Sequence, residues 1–150
     1  MITTGKINFR PAFLVAALLG CAQINGLVLE RCPRTCVYDN KSLSSKGAIA
    51  SQSSTYDNRP AAYAIDGQPE LDRFNQHSMS HTGEEDEPWW EVKLDKPYYI
   101  ARVDIKNRVE NGCGKRLEGF KLEIFHNSLL VASSTQAGIK EWYRVNVSNE

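Results

Sequence analysis

No run of apolar residues in this chain is long enough to cross a bilayer as a helix. The longest, Ala12 to Leu19, falls well short of the roughly 20 residues that a hydrocarbon core demands. Net charge is missing too: 18 Lys and Arg stand against 18 Asp and Glu, so no overall field gathers nucleic acid or an anionic membrane. There is no nucleophile elbow, no phosphate-cradling glycine loop and no zinc-protease helix motif. Cysteine is scarce, four in all, and Cys32 and Cys36 have no nearby histidine or second cysteine pair to complete a tetrahedral zinc site. Helical periodicity is equally lacking, since no stretch carries an apolar stripe over three turns. These absences leave a globular protein whose recognition is local, and an enzyme is not expected.

What is present fits one domain. At 150 residues, 41% hydrophobic and 24% charged, the chain can bury most of its apolar surface in one core. Residues 1–26 read as a secretory signal peptide: Lys6 and Arg10 precede the apolar run, and the small residues Gly20, Cys21 and Ala22 follow it. Cleavage after Ala22 or Gly26 fits. An uncleaved membrane anchor is one alternative, and Leu18-Leu19-Gly20-Cys21 as a lipoprotein box with a lipidated Cys21 is another. Export places the other cysteines in an oxidising compartment. The simplest arrangement pairs Cys32 with Cys36 and leaves Cys113 free or paired outside the chain. Residues 27–44 are polar and aperiodic and read as an N-terminal arm, with the domain proper over 45–150.

Within that domain the pattern is β. Trp90-Glu91-Val92-Lys93-Leu94-Asp95 alternates strictly, so Trp90, Val92 and Leu94 share an inward face, and Lys96-Pro97 is expected to turn the chain. Ala101 to Lys106, Phe120 to Ile124 and Tyr143 to Val147 alternate likewise, and Leu129 to Ala132 is a shorter apolar run. Gly47 to Tyr56 is strand-compatible, Asp57-Asn58-Arg59-Pro60 supplies turn chemistry, and Ala61 to Ile65 suggests one helical turn. About six short strands separated by turn signals predict an all-β sandwich or barrel. The last of them ends next to Glu150, which exposes a sheet edge and suggests an incomplete domain.

The chemistry gathers between His81 and Arg116. His81 lies in the long polar loop Gln68 to Glu87, and Arg108 lies at the end of a strand, so the two can meet on one side of the sandwich. A neutral imidazole accepts a hydroxyl hydrogen and guanidinium groups donate forked hydrogen bonds, a combination suited to the vicinal hydroxyls of a sugar. Glu110 either holds the Arg108 guanidinium or makes an exposed ion pair worth under about 1 kcal/mol. Gly112 and Gly114 around Cys113 suggest a tight turn presenting Lys115 and Arg116. Trp90 belongs to the core, whereas Trp89 faces the other way. The acids Glu84 to Glu87 read as solvated charge, since nothing there supplies the burial that glycoside hydrolysis asks of its acid.

Taken in order, Ala50-Ser51-Gln52-Ser53-Ser54, Ala64-Ile65-Asp66-Gly67, His81-Thr82, Pro88-Trp89-Trp90-Glu91-Val92-Lys93-Leu94, Asn107-Arg108 and Gly114-Lys115-Arg116-Leu117 resemble the F-type lectins, or fucolectins. These share a discoidin-like jelly-roll β-sandwich with the coagulation-factor type C domains, and the resemblance covers roughly Asn40 to Val147. It implies an L-fucose site built from His81, Arg108 and a second basic residue. Spacing selects Lys115 for that role and the following leucine selects Arg116, which is favoured. Glu110 stands where the family has an aspartate, and Phe74 falls where an aromatic meets the fucose methyl.

The resemblance also implies a calcium ion held by Asp66 and Ser78, with carbonyls from Tyr63 and Gln68. The departures are Asn111-Gly112-Cys113, where many members carry adjacent cysteines, Met79 in place of a cysteine, and the missing C-terminal strand. The resulting expectation is a secreted, extracellular, calcium-stabilised lectin for fucosylated glycans or glycoproteins, without nucleic-acid partners or membrane insertion once the leader is cleaved. Weak single sites favour a homo-oligomer. The alternative is a discoidin-like adhesion or matrix protein that has lost fucose binding.

Overall fold

The computed structural model describes residues 2–8, 13–21, 47–66 and 79–147. The strands, in chain order, are β1 (Ile2–Asn8), β2 (Phe13–Cys21), β3 (Ile49–Gln52), β4 (Ser80–His81), β5 (Trp89–Asn107), β6 (Lys121–His126), β7 (Leu129–Thr135) and β8 (Trp142–Asn146), with 3-10 segments at Ala61–Ala64 and Glu110–Leu117. The fold is the expected all-β discoidin-like sandwich.

β5 holds the two sheets together. Its first part lies between β3 and β1: Val92 faces Ala50 on one side and Gly5 on the other. β1 then pairs with β6, and β6 with β7, all antiparallel. The second part of β5 lies between β2 and β8: Val103 faces Leu18 and Val145, and β2 carries the short β4 on its outer edge. The expected turn at Lys96-Pro97 is therefore not made. The strand runs through 19 residues and passes from one sheet to the other, and Pro97 sits where the ladder changes partners, a place that tolerates a missing backbone donor.

The alternation read from the sequence places the core. Trp90, Val92, Leu94, Val103, Ile105, Leu122, Ile124, Tyr143 and Val145 are all buried between the sheets, while Ala101 is only half-buried. Trp90 donates its indole N–H to the Ala61 carbonyl at 3.1 Å, so the 3-10 turn is fixed to the largest core side chain. Phe120 meets the Tyr143 ring edge-on at 5.0 Å.

The stretch read as a leader contains both β1 and β2, paired into the two sheets. Cys32, Cys36 and the arm lie outside the described residues. Cys113 is free and half-buried. Among the described residues, no helix is long and apolar enough to cross a membrane.

Candidate functional site

The site begins at β4. The His81 backbone N–H donates to the Arg59 carbonyl at 3.1 Å, and the His81 carbonyl accepts from the Tyr56 N–H at 2.9 Å. Gln52 ties the same corner from β3, its Nε2 donating to the carbonyls of both Arg59 and His81. Between these contacts the chain turns at Asp57 and Asn58, both left-handed (φ 52° and 53°), a conformation that Asn and Asp accept more readily than other side chains. That turn sets Tyr56 edge-on against the imidazole, with centroids 4.8 Å apart. Tyr56 is nonetheless 56% exposed, so much of its ring faces solvent beside the histidine.

Burial and three arginines act on His81. Its pKa is lowered from 6.5 to about 4, by burial first, then by the charges of Arg116, Arg59 and Arg108, with Asp57 opposing them. The imidazole is thus neutral at ordinary pH, as a hydroxyl acceptor needs to be. Arg59 also pairs with Asp57 at 3.2 Å, and Arg108 Nε lies 3.7 Å from Glu110 Oε2. Arg108 is mostly covered and Glu110 half-exposed, so the pair orients the guanidinium and adds little stability.

The turn carrying the second basic residue is built from β5 outward. Asn107, fully buried, donates from Nδ2 to the carbonyls of Gly114 and Lys140, each at 3.1 Å. Asn111 and Gly112 are left-handed (φ 54° and 75°), and this is the local form taken by the departure Asn111-Gly112-Cys113. At Gly114 an added Cβ would lie 2.6 Å from Ile139 Cγ2, so any larger residue there must displace the Ile139 side chain. Beyond it Lys115 and Arg116 are both exposed. Arg116 is the one whose charge acts on His81, and this favours it over Lys115.

His81, Arg108, Glu110 and Arg116 therefore come together, joined by Tyr56 and Arg59, which the sequence marks only as the end of a strand-compatible stretch and as a turn residue. Phe74, Gln68 and Ser78 lie outside the described residues. Tyr63 is half-buried and Asp66 exposed at the end of the 3-10 turn, and their oxygen donors suit a hard cation such as calcium. No cluster of three or more His, Cys, Asp or Glu side chains able to hold a metal occurs among the described residues.

The acidic run differs from expectation at one position. Glu84, Asp86 and Glu87 are exposed, but Glu85 is half-buried and its Oε1 accepts hydrogen bonds from the Ser53 and Ser54 hydroxyls, both at 2.6 Å. Those serines in turn accept from the N–H groups of Trp89 and Gly83. Glu85 thus fastens the chain after β3 to the loop that leads from His81 into β5.

The family model for the F5/F8 type C, NedA-like, galactose-binding domain matches residues 63–150. Among curated proteins, Fucolectin-1 of Anguilla japonica is 42% identical over 67 residues, covering 45% of this chain and 36% of the relative. Fucolectin-5 of the same species is 43% identical over 67 residues (45% and 34%), and the fucolectin of Anguilla anguilla is 37% identical over 67 residues (45% and 41%). Each match thus spans well under half of the relative's length. No solved structure gives a significant match.

Proposed function

Because the chain belongs to the F5/F8 type C family of NedA-like, galactose-binding domains, and is similar to fucolectins over part of its length, we propose that it is a lectin that binds L-fucose or fucosylated glycans. The observation that carries this reading is the neutral imidazole of His81 with the charges of Arg59, Arg108 and Arg116 acting on it. The imidazole accepts from one sugar hydroxyl, the guanidinium groups donate to adjacent or ring oxygens, and Tyr56 offers an apolar ring for a C–H face. These residues bind and orient; none is assigned a catalytic step.

Calcium, in this reading, would be held by Asp66 and Ser78 with the Tyr63 and Gln68 carbonyls, and its charge would fasten those oxygen donors to one another beside the approach to His81. Phe74 would meet the fucose methyl. Export suits glycan recognition, and the first 26 residues carry a leader's pattern. β1 and β2 lie in the same stretch, so N-terminal sequencing of chain recovered from culture medium reveals whether export removes them.

Calorimetric titration of the full chain with L-fucose, with and without calcium, tests the proposal. Saturable binding is expected, abolished in His81→Ala and weakened when calcium is removed. Unchanged binding in His81→Ala overturns the site assignment. A second reading, an extracellular adhesion protein without sugar binding, draws on the left-handed turn at Asn111 and Gly112. It predicts cell-surface or matrix association that survives both free fucose and Arg108→Ala.

A further inference from the structure

The outer face of the sheet formed by β2, β8 and the second part of β5 carries a row of charges that the core does not require. Along β5, Arg102, Asp104 and Lys106 alternate with the buried Val103 and Ile105 and so share the solvent side. β8 sets Asn146 opposite Arg102, Arg144 opposite Asp104 and Trp142 opposite Lys106. On the other flank, β2 brings Leu19, Ala17 and Val15 to the same register positions and adds no charge. Asp104 is the only acid at these positions, against Arg102, Lys106 and Arg144.

These cations are spaced and in part fixed. Arg102 holds both oxygens of Asp104, from Nε at 2.8 Å and from a terminal nitrogen at 3.0 Å, yet its side chain stays 41% exposed. Lys106 Nζ stands 5.3 Å from the centre of the Trp142 ring, a cation–π contact that keeps the ammonium against the sheet. Arg144 is exposed and makes no ion pair with a carboxylate among the described residues. The backbone spacing puts Arg102 and Lys106 about 13 Å apart along β5, with Arg144 between them on the next strand, about 5 Å across. A lone oxyanion meets one of these cations, whereas a chain bearing repeated anionic groups meets them all.

The next outward position in the alternation of β5 is Arg108, which pairs with Glu110 and acts on His81, so the row runs into the sugar site. With Lys106 over the Trp142 ring, this face offers no open aromatic to the bases of a nucleic-acid strand. Its cations also fall short of the clusters of roughly 4–8 that hold a membrane surface. Guanidinium groups fork onto paired oxygens, which a sulfate ester presents. We propose that the outer face of β5 and β8 is an extended subsite for sulfated glycans: the fucose at the His81 site belongs to a longer chain, and sulfates on neighbouring sugars lie along Lys106, Arg144 and Arg102. The inference rests on the fucose reading for its anchor and on this face for the sulfates.

The test titrates the full chain with a sulfated L-fucan, with the same polymer after desulfation, and with free L-fucose, at low and at physiological salt. The sulfated polymer is expected to bind about tenfold tighter than the desulfated one, with the gap narrowing as salt screens the face. Arg144→Gln should weaken the sulfated polymer by about threefold or more and leave L-fucose binding and the thermal melt unchanged. Lys93→Gln, which removes an equal charge from an exposed position on the first part of β5, should alter neither. Equal affinity for the two polymers overturns the proposal, as does a loss in Lys93→Gln as large as that in Arg144→Gln. Anionic lipid vesicles or single-stranded DNA bound as tightly as the sulfated polymer also overturn it. If L-fucose fails to bind while the sulfate preference and its dependence on Arg144 persist, the face is supported and the fucose reading is overturned instead.

Discussion

His81 sits where a single proton decides the state of the site. With its pKa lowered to about 4, sugar affinity is expected to hold steady from neutral pH to about pH 5 and to fall as pH drops through about 4, when the imidazole becomes a donor and joins three positive neighbours. Titrating L-fucose across that range measures it. Stability follows a related course. The unfolded histidine takes up its proton near 6.5 and the folded one near 4, so between these values the unfolded state binds more protons and stability declines as pH falls. Denaturant midpoints compared between wild type and His81→Gln should separate below about pH 6.5. For the two rival basic residues, Arg116→Ala is expected to weaken fucose binding by at least tenfold and Lys115→Ala by less than threefold, as read by the same titration. Of this constellation, His81, Arg108 and Glu110 were legible from residue type and spacing. Tyr56 and Arg59 were not, because a turn tightened by two left-handed residues brings them to the imidazole, and local sequence says where a chain turns but not what the turn then touches.

At the scale of elements, the strands were legible wherever one face is buried, since burial writes a period of two into the chain. Trp90 on β5 shows how much rests on that face: Trp90→Ala is expected to cost about 3–5 kcal/mol, measurable by chemical denaturation. The turn expected at Lys96-Pro97 was misread because proline and lysine are local punctuation, whereas the continuity of β5 comes from pairing with different partners along its length. Glu85 was hidden in a similar way, being one of four consecutive acids. Its two serine bonds join segments remote in sequence and set it apart from its neighbours. Glu85→Ala is expected to destabilise the fold by about 1.5–3 kcal/mol, against less than about 0.5 kcal/mol for Glu84→Ala, by the same denaturation assay. If the two cost the same, the serine clamp contributes nothing.

For the whole molecule, the sandwich architecture was legible from strand count and alternation, but the roles of β1 and β2 were not, because their composition also fits a leader. In the structure β1 is the strand between β5 and β6: Gly5 faces Val92 on one side and Ile124 on the other. A chain starting at Leu27 is therefore expected to lose its cooperative thermal melt, as followed by circular dichroism. The same position governs when the fold can form. β1 leaves the ribosome well before the two strands that flank it, so it can pair with β5 first and keeps its other edge open until β6 has been made. Pairings so distant in sequence slow the search, and refolding is expected on the order of milliseconds to seconds rather than microseconds. Throughout that interval β1 holds an open edge, and a nascent chain of this protein is most exposed to aggregation just before residues 121–126 emerge.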